Sequence, residues 1–94
     1  MSVSPTMFND LITSAATRRE GWEAGADAFR RKASEFDEKA KDHDNAARAL
    51  RTAGDAEGAE KQEEVARRLR DDANTCKTYA GKLQEKANAE ATAA

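Results

Sequence analysis

The chain has 94 residues, 36% of them charged, with a net charge of −2 and a mean hydropathy of −0.94. A chain this short holds one small domain whose core is marginal in size, so association with another chain is expected from the outset. The interleaved charges make no basic field for nucleic acid or anionic lipid, no segment approaches the run of about 18 apolar residues that a membrane span needs, and a single cysteine excludes an internal disulfide.

The hydrophobic fraction of 38% hides a shortage of bulk, because 21 of those residues are alanine and only 15 are larger. Six of the 15 fall within the first twelve residues. With five Gly and one Pro, the composition suits long helices or a coiled coil better than a sheet.

The chain opens on a helix-start signature. Ser4 suits the N-cap, Pro5 the first helical position, and Val3 can staple against Phe8. Residues 1–17 hold no Lys or Arg and no long apolar stretch, so they do not read as a cleaved secretory signal. With the lone thiol this points to a cytoplasmic protein, signal-less secretion being the other route left open.

From Phe8 the larger side chains recur every seven residues, as Phe8, Ala15, Trp22, Phe29, Phe36, His43 and Leu50, which we label position d. Position a is then filled by Ile12, Arg19, Ala26, Ala33, Ala40 and Ala47. A first helix over about 5–53 is predicted. Gly21 and Gly25 together cost it roughly 2 kcal/mol relative to alanine. The d stripe keeps its phase across them and favours a continuous helix; the other arrangement has residues 5–20 as a separate short helix folded back into a three-helix bundle.

Gly54 and Asp55 form the predicted turn, glycine in the left-handed position that ends one helix and aspartate as the N-cap of the next. The second helix, about 56–88, carries Ala59, Ala66, Ala73, Ala80 and Ala87 at a, and Gln62, Leu69, Cys76, Leu83 and Glu90 at d. Residues 89–94 have nothing to bury and are expected to fray.

A short turn makes the helices antiparallel, so each layer pairs an a with a d. Layers whose residue numbers add to 109 set Leu50 beside Ala59, Ala47 beside Gln62, His43 beside Ala66, Ala40 beside Leu69, Phe36 beside Ala73 and Ala33 beside Cys76. They continue with Phe29 and Ala80, Ala26 and Leu83, Trp22 and Ala87, and an Arg19–Glu90 ion pair at the open end. The expected fold is therefore all-α: one domain over 1–94, a long antiparallel two-helix hairpin with an alanine-rich coiled-coil seam, dimerising into a helical bundle.

No residues combine into a catalytic, cofactor or metal site. His43 lies between Asp42 and Asp44, but the positions on its helix face are Lys39, Ala40, Ala46 and Ala47, which are not metal ligands. It fits either a polar layer hydrogen-bonded to Gln62 or Glu63 that fixes the register, or a half-exposed side chain at the thin edge of the hairpin. Cys76 faces Ala33 in the seam with no base in reach and reads as a small buried hydrophobe. The chain is read as a non-enzyme without cofactors. Basic clusters at Arg18-Arg19, Arg30-Arg31-Lys32 and Arg67-Arg68 with Arg70 have Asp or Glu one turn away, so helix-surface ion pairs explain them better than nucleic acid does.

The feature with most functional content is the charge step near the N-terminus. Residues 1–17 include one charged residue, Asp10, against 33 in the remaining 77. Under the sum of 109, Met7, Phe8, Leu11 and Ile12 have no counterpart on the second helix, and with Val3 they form a candidate association surface that Val65 and Tyr79 could widen. Self-association, a folded-back helix and a groove on a different protein are the three readings.

A helical hairpin of this size with a tryptophan and the early Val3-Ser4-Pro5 segment resembles the small secreted proteins of the type VII secretion family. The resemblance implies a secreted hairpin substrate. Two family marks differ: Trp22-Glu23-Ala24-Gly25 lies inside the first helix, not in the turn, and the residue four after Tyr79 is Leu83 where an acidic residue is expected. The stretch Gly54-Asp55-Ala56-Glu57-Gly58-Ala59 is similar to a tetratricopeptide helix turn, but the helix that follows is too long for that repeat. The leading expectation is a non-enzymatic interaction module, an adaptor, inhibitor or chaperone-like accessory protein of bacterial or phage type that binds another protein. The alternatives are the secreted substrate and a nucleic-acid accessory factor.

Overall fold

The computed structural model describes the backbone of residues 5–93 and the side-chain surroundings of residues 16–90. Val3 and Ser4 lie outside the described residues, as do the side chains of Met7, Phe8, Leu11 and Ile12, and with them the predicted cap, staple and N-terminal association surface. Two helices, α1 (Pro5–Thr52) and α2 (Ala56–Ala93), pack side by side as an antiparallel hairpin. The result is a rod with Cα extents of 79 × 14 × 13 Å. Its radius of gyration is 21.8 Å, against about 12 Å for a globular chain of this length.

The turn is closed by backbone chemistry. Gly54 sits at φ +88°, a conformation that costs any residue with a Cβ. That geometry lets the Gly54 amide donate to the Arg51 carbonyl at 3.0 Å and the Asp55 amide to the Leu50 carbonyl at 2.8 Å, the paired bonds of a Schellman cap. Asp55 then opens α2, its carboxylate accepting from the Gly58 amide at 2.9 Å.

The seam is built as the heptads predict. Ala26, Ala33, Ala40 and Ala47 of α1 and Ala59, Ala66, Ala73, Ala80 and Ala87 of α2, every a-position alanine of both repeats, are at most 3% exposed, and Cys76 is 8% exposed. Ala33, Ala73 and Cys76 form one cluster with Phe29 and Phe36 packed on it, which places the helices in the layers that sum to 109. Trp22, Leu50, Leu69 and Leu83 stay half-buried at the seam's edges. His43 Nδ1 lies 2.6 Å from Gln62 Oε1, the expected polar layer near the turn. Glu63 is taken by Arg51 instead.

Three expectations are resolved or corrected. α1 runs unbroken through Gly21 and Gly25, so residues 5–20 are not a folded-back helix. A Cβ on Gly25 would come within 3.0 Å of Leu83 Cδ1, so this glycine gives α2 its close approach. α2 continues past Asn88 to Ala93, alanine at alternate positions being a strong helix former. The open end closes on Arg18, not Arg19: Arg18 Nε and Nη2 reach the Glu90 carboxylate at 3.0 and 3.4 Å, while Arg19 lies half-buried along the seam. The hydrogen bond to Glu90, and after it the charge, raise the Arg18 pKa further above its ordinary value. By the same register Ala93 ends opposite residue 16, so residues 5–15 of α1 extend beyond α2.

Candidate functional site

An antiparallel coiled coil has two flanks, one where e positions face each other and one where g positions do, and here the two are chemically unlike. On the e flank, residues whose numbers sum to 114 meet once per heptad. Arg30 Nη2 donates to Gln84 Oε1 at 3.0 Å, Lys77 Nζ to Asp37 Oδ2 at 3.2 Å, Arg70 to Asp44, and Arg51 Nε and Nη2 to Glu63 Oε1 at 2.9 and 2.6 Å. The seam of bulky against small repeats every heptad, so it would accept α2 displaced by seven residues. The ladder would not. One slip sets Arg30 against Lys77 and Asp44 against Glu63 and keeps one opposite-charge pair, Asp37 with Arg70; the opposite slip sets Arg51 against Arg70 and also keeps one, Asp44 with Lys77, where the observed register has three. Like charges facing each other destabilise a pairing, so the ladder selects one register although each exposed rung adds little.

By the same register the g flank sets Gly25 level with Tyr79, Lys32 with Asp72, Lys39 with Val65 and Ala46 with Gly58. Among the described residues the g positions make no polar rung across it between Gly25 and the turn; the polar contact on this side is the His43–Gln62 pair of the d positions. Tyr79 is 49% exposed, the most exposed large hydrophobic side chain among the described residues. Its ring stacks on Phe29 with centroids 5.5 Å apart and an interplanar angle of 26°. Lys82 Nζ lies 5.6 Å from the Tyr79 ring centre, and toward the open end Lys86 Nζ lies 4.7 Å above the ring of Trp22. Beside Trp22 is an open hollow of about 290 Å³ lined by Arg18, Gly21 and Trp22. Phe29, Tyr79 and Trp22 thus form an aromatic strip along this flank, and Val65 lies half-buried two heptads, about four turns, from Tyr79. The predicted surface residues Val65 and Tyr79 do share one flank; their companions near the N-terminus lie outside the described side chains.

A thin rod covers its larger side chains from one direction only. Among the described residues no large side chain is less than 2% exposed, and the fully shielded positions are alanines. No three or more His, Cys, Asp or Glu side chains come together as a metal site among the described residues, and no helix there is long and apolar enough to cross a membrane. Cys76 is buried in the seam with Ala33 and Ala73.

Fold and surface together define an all-α antiparallel helical hairpin with one polar, register-setting flank and one aromatic flank. Comparison with protein-family models, with curated proteins and with solved structures found no match to this chain.

Proposed function

We propose that the chain is a non-enzymatic protein-interaction module that works by self-association, two hairpins packing their aromatic flanks into a helical bundle that serves as an adaptor or inhibitor. The observation that carries this reading is that among the described residues no large side chain is fully buried in a single hairpin, while the most exposed of them, Tyr79, sits on the flank whose g positions make no polar rung from Gly25 to the turn. Surface area supports it. The hairpin exposes 6898 Å², against roughly 5300 Å² for a compact monomer of its mass. The excess on one chain is about twice the roughly 800 Å² that each partner buries in a standard protein interface. The aromatic character of the strip is also typical of interface cores.

Sedimentation equilibrium tests the proposal. The wild type and a control, Thr78→Glu on the outer face, are expected to be dimers, and Val65→Glu with Tyr79→Glu a monomer of unchanged helicity. A monomeric wild type at high micromolar concentration would overturn the reading. A dimer that survives the flank variant but is lost in Phe8→Asp with Ile12→Asp would move the interface to the N-terminal segment.

A further inference from the structure

We propose that the e flank near the turn carries a binding site for a phosphate-type dianion. Asp44, Ala47, Arg48 and Arg51 of α1 and Glu63, Arg67 and Arg70 of α2 line one open groove of about 320 Å³. Two of the guanidiniums are committed, Arg51 to Glu63 and Arg70 to Asp44. The other two, Arg48 and Arg67, make no hydrogen bond or ion pair with any described residue, and they stand on different helices, one on each rim.

The charge count selects the ligand. Four guanidiniums against two carboxylates leave two positive charges, matching one dianion and exceeding what a single carboxylate supplies. A tetrahedral phosphate offers enough oxygens for a planar fork from each rim, and arginine is the side chain suited to that bidentate contact. The groove holds its forks in place: the Glu63 carboxylate orients Arg51 and that of Asp44 orients Arg70, which lowers the entropy lost on binding. Ala47, only 3% exposed, provides an apolar floor where charge-assisted hydrogen bonds are less screened than on an open helix. The other arginine clusters lack this arrangement. Arg30 and Arg68 are tied to Asp27 and Glu64 of their own helices, and Arg18 to Glu90.

Free phosphate and a phosphorylated side chain present the same group, and two probes separate them. Inorganic phosphate and phosphoserine are each titrated into the full chain at low ionic strength while the arginine Nε–H resonances are followed by NMR. Saturable shifts at Arg48, Arg51, Arg67 and Arg70 are expected, with tighter binding of phosphoserine indicating a phosphorylated protein and equal binding indicating the free anion. Arg48→Gln with Arg67→Gln should weaken binding at least about tenfold, equivalent to about 1.4 kcal/mol. Arg31→Gln with Lys61→Gln, which removes the same charge at exposed positions outside both the groove and the aromatic strip, should leave affinity within about threefold, the effect of screened charge. Shifts that do not saturate, or equal losses in the two double variants, would overturn the site. So would binding seen only with a single-stranded oligonucleotide and with neither small probe, since that marks a diffuse basic surface.

Discussion

Replacing Ala73 with leucine would put three further carbons into the tightest part of the seam. Ala73 is 0% exposed and packs in the cluster that Phe29 and Phe36 cover. If the helices could admit the new side chain freely, its burial would stabilise the fold by roughly 2.4 kcal/mol, at about 0.8 kcal/mol per methylene. They cannot admit it without moving apart, because Ala33 and Ala73 hold them at alanine spacing. Separation at this layer loosens the neighbouring layers at Ala66 and Ala80, each 2% exposed or less. Overpacking of this kind costs about 1 to 3 kcal/mol net. For a domain of this size that lowers the melting temperature by roughly 5 to 20 °C. The assay is thermal unfolding by far-UV circular dichroism at one fixed chain concentration, because association would itself shift the midpoint. Asn74→Leu, on the exposed face one residue away, is the control and should stay within about 0.5 kcal/mol of wild type. An Ala73→Leu protein as stable as its parent would refute the close alanine seam.

Three further outcomes follow from the turn and the ladder. Asp44→Arg faces Arg70 with a like charge and should destabilise the hairpin, whereas Asp44→Arg combined with Arg70→Asp should restore it; a coupling of about 0.2 to 1 kcal/mol is expected for so exposed a pair, shrinking as salt is added. No coupling in that double-mutant cycle, measured by urea unfolding, would remove the ladder as the selector of register. Gly54→Ala should cost about 1 to 2 kcal/mol through its positive φ, by the same unfolding measurement. Asp55→Ala should cost about 1 kcal/mol through the lost N-cap, and Asp55→Asn much less, because the amide oxygen can still accept from Gly58.

The hairpin was legible because its determinants are local or periodic. Gly54 and Asp55 are a stop and a start written in adjacent residues, and two heptad repeats of complementary bulk leave few ways to pair. Gln62 was one of two partners, with Glu63, that the layers near the turn offered His43, and the structure takes it. The e-flank ladder was missed although its signal was present: applying the pairing sum to flanking positions gives 114, and Asp37 with Lys77, Asp44 with Arg70 and Arg51 with Glu63 then appear as opposite charges. Arg18 displaced Arg19 because a side chain at g reaches around the rim of the seam, whereas one at a is aimed along it. The chemical inequality of the flanks needed the structure. Tyr79 and Val65 read only as positions beside the seam until the Phe29 ring was found under Tyr79 and no rung was found between them.

The central claim is that the flank carrying Tyr79 is where a second copy docks. A photoreactive benzoylphenylalanine at position 79 preserves an aromatic side chain there, and irradiation followed by mass spectrometry reports what lies against it. The account predicts a covalent dimer whose crosslinked peptides come from the g-flank strip around Trp22, Phe29, Val65 and Tyr79, and none from the same probe at Asn74. No dimer from position 79, or equal yields from the two positions, would contradict it.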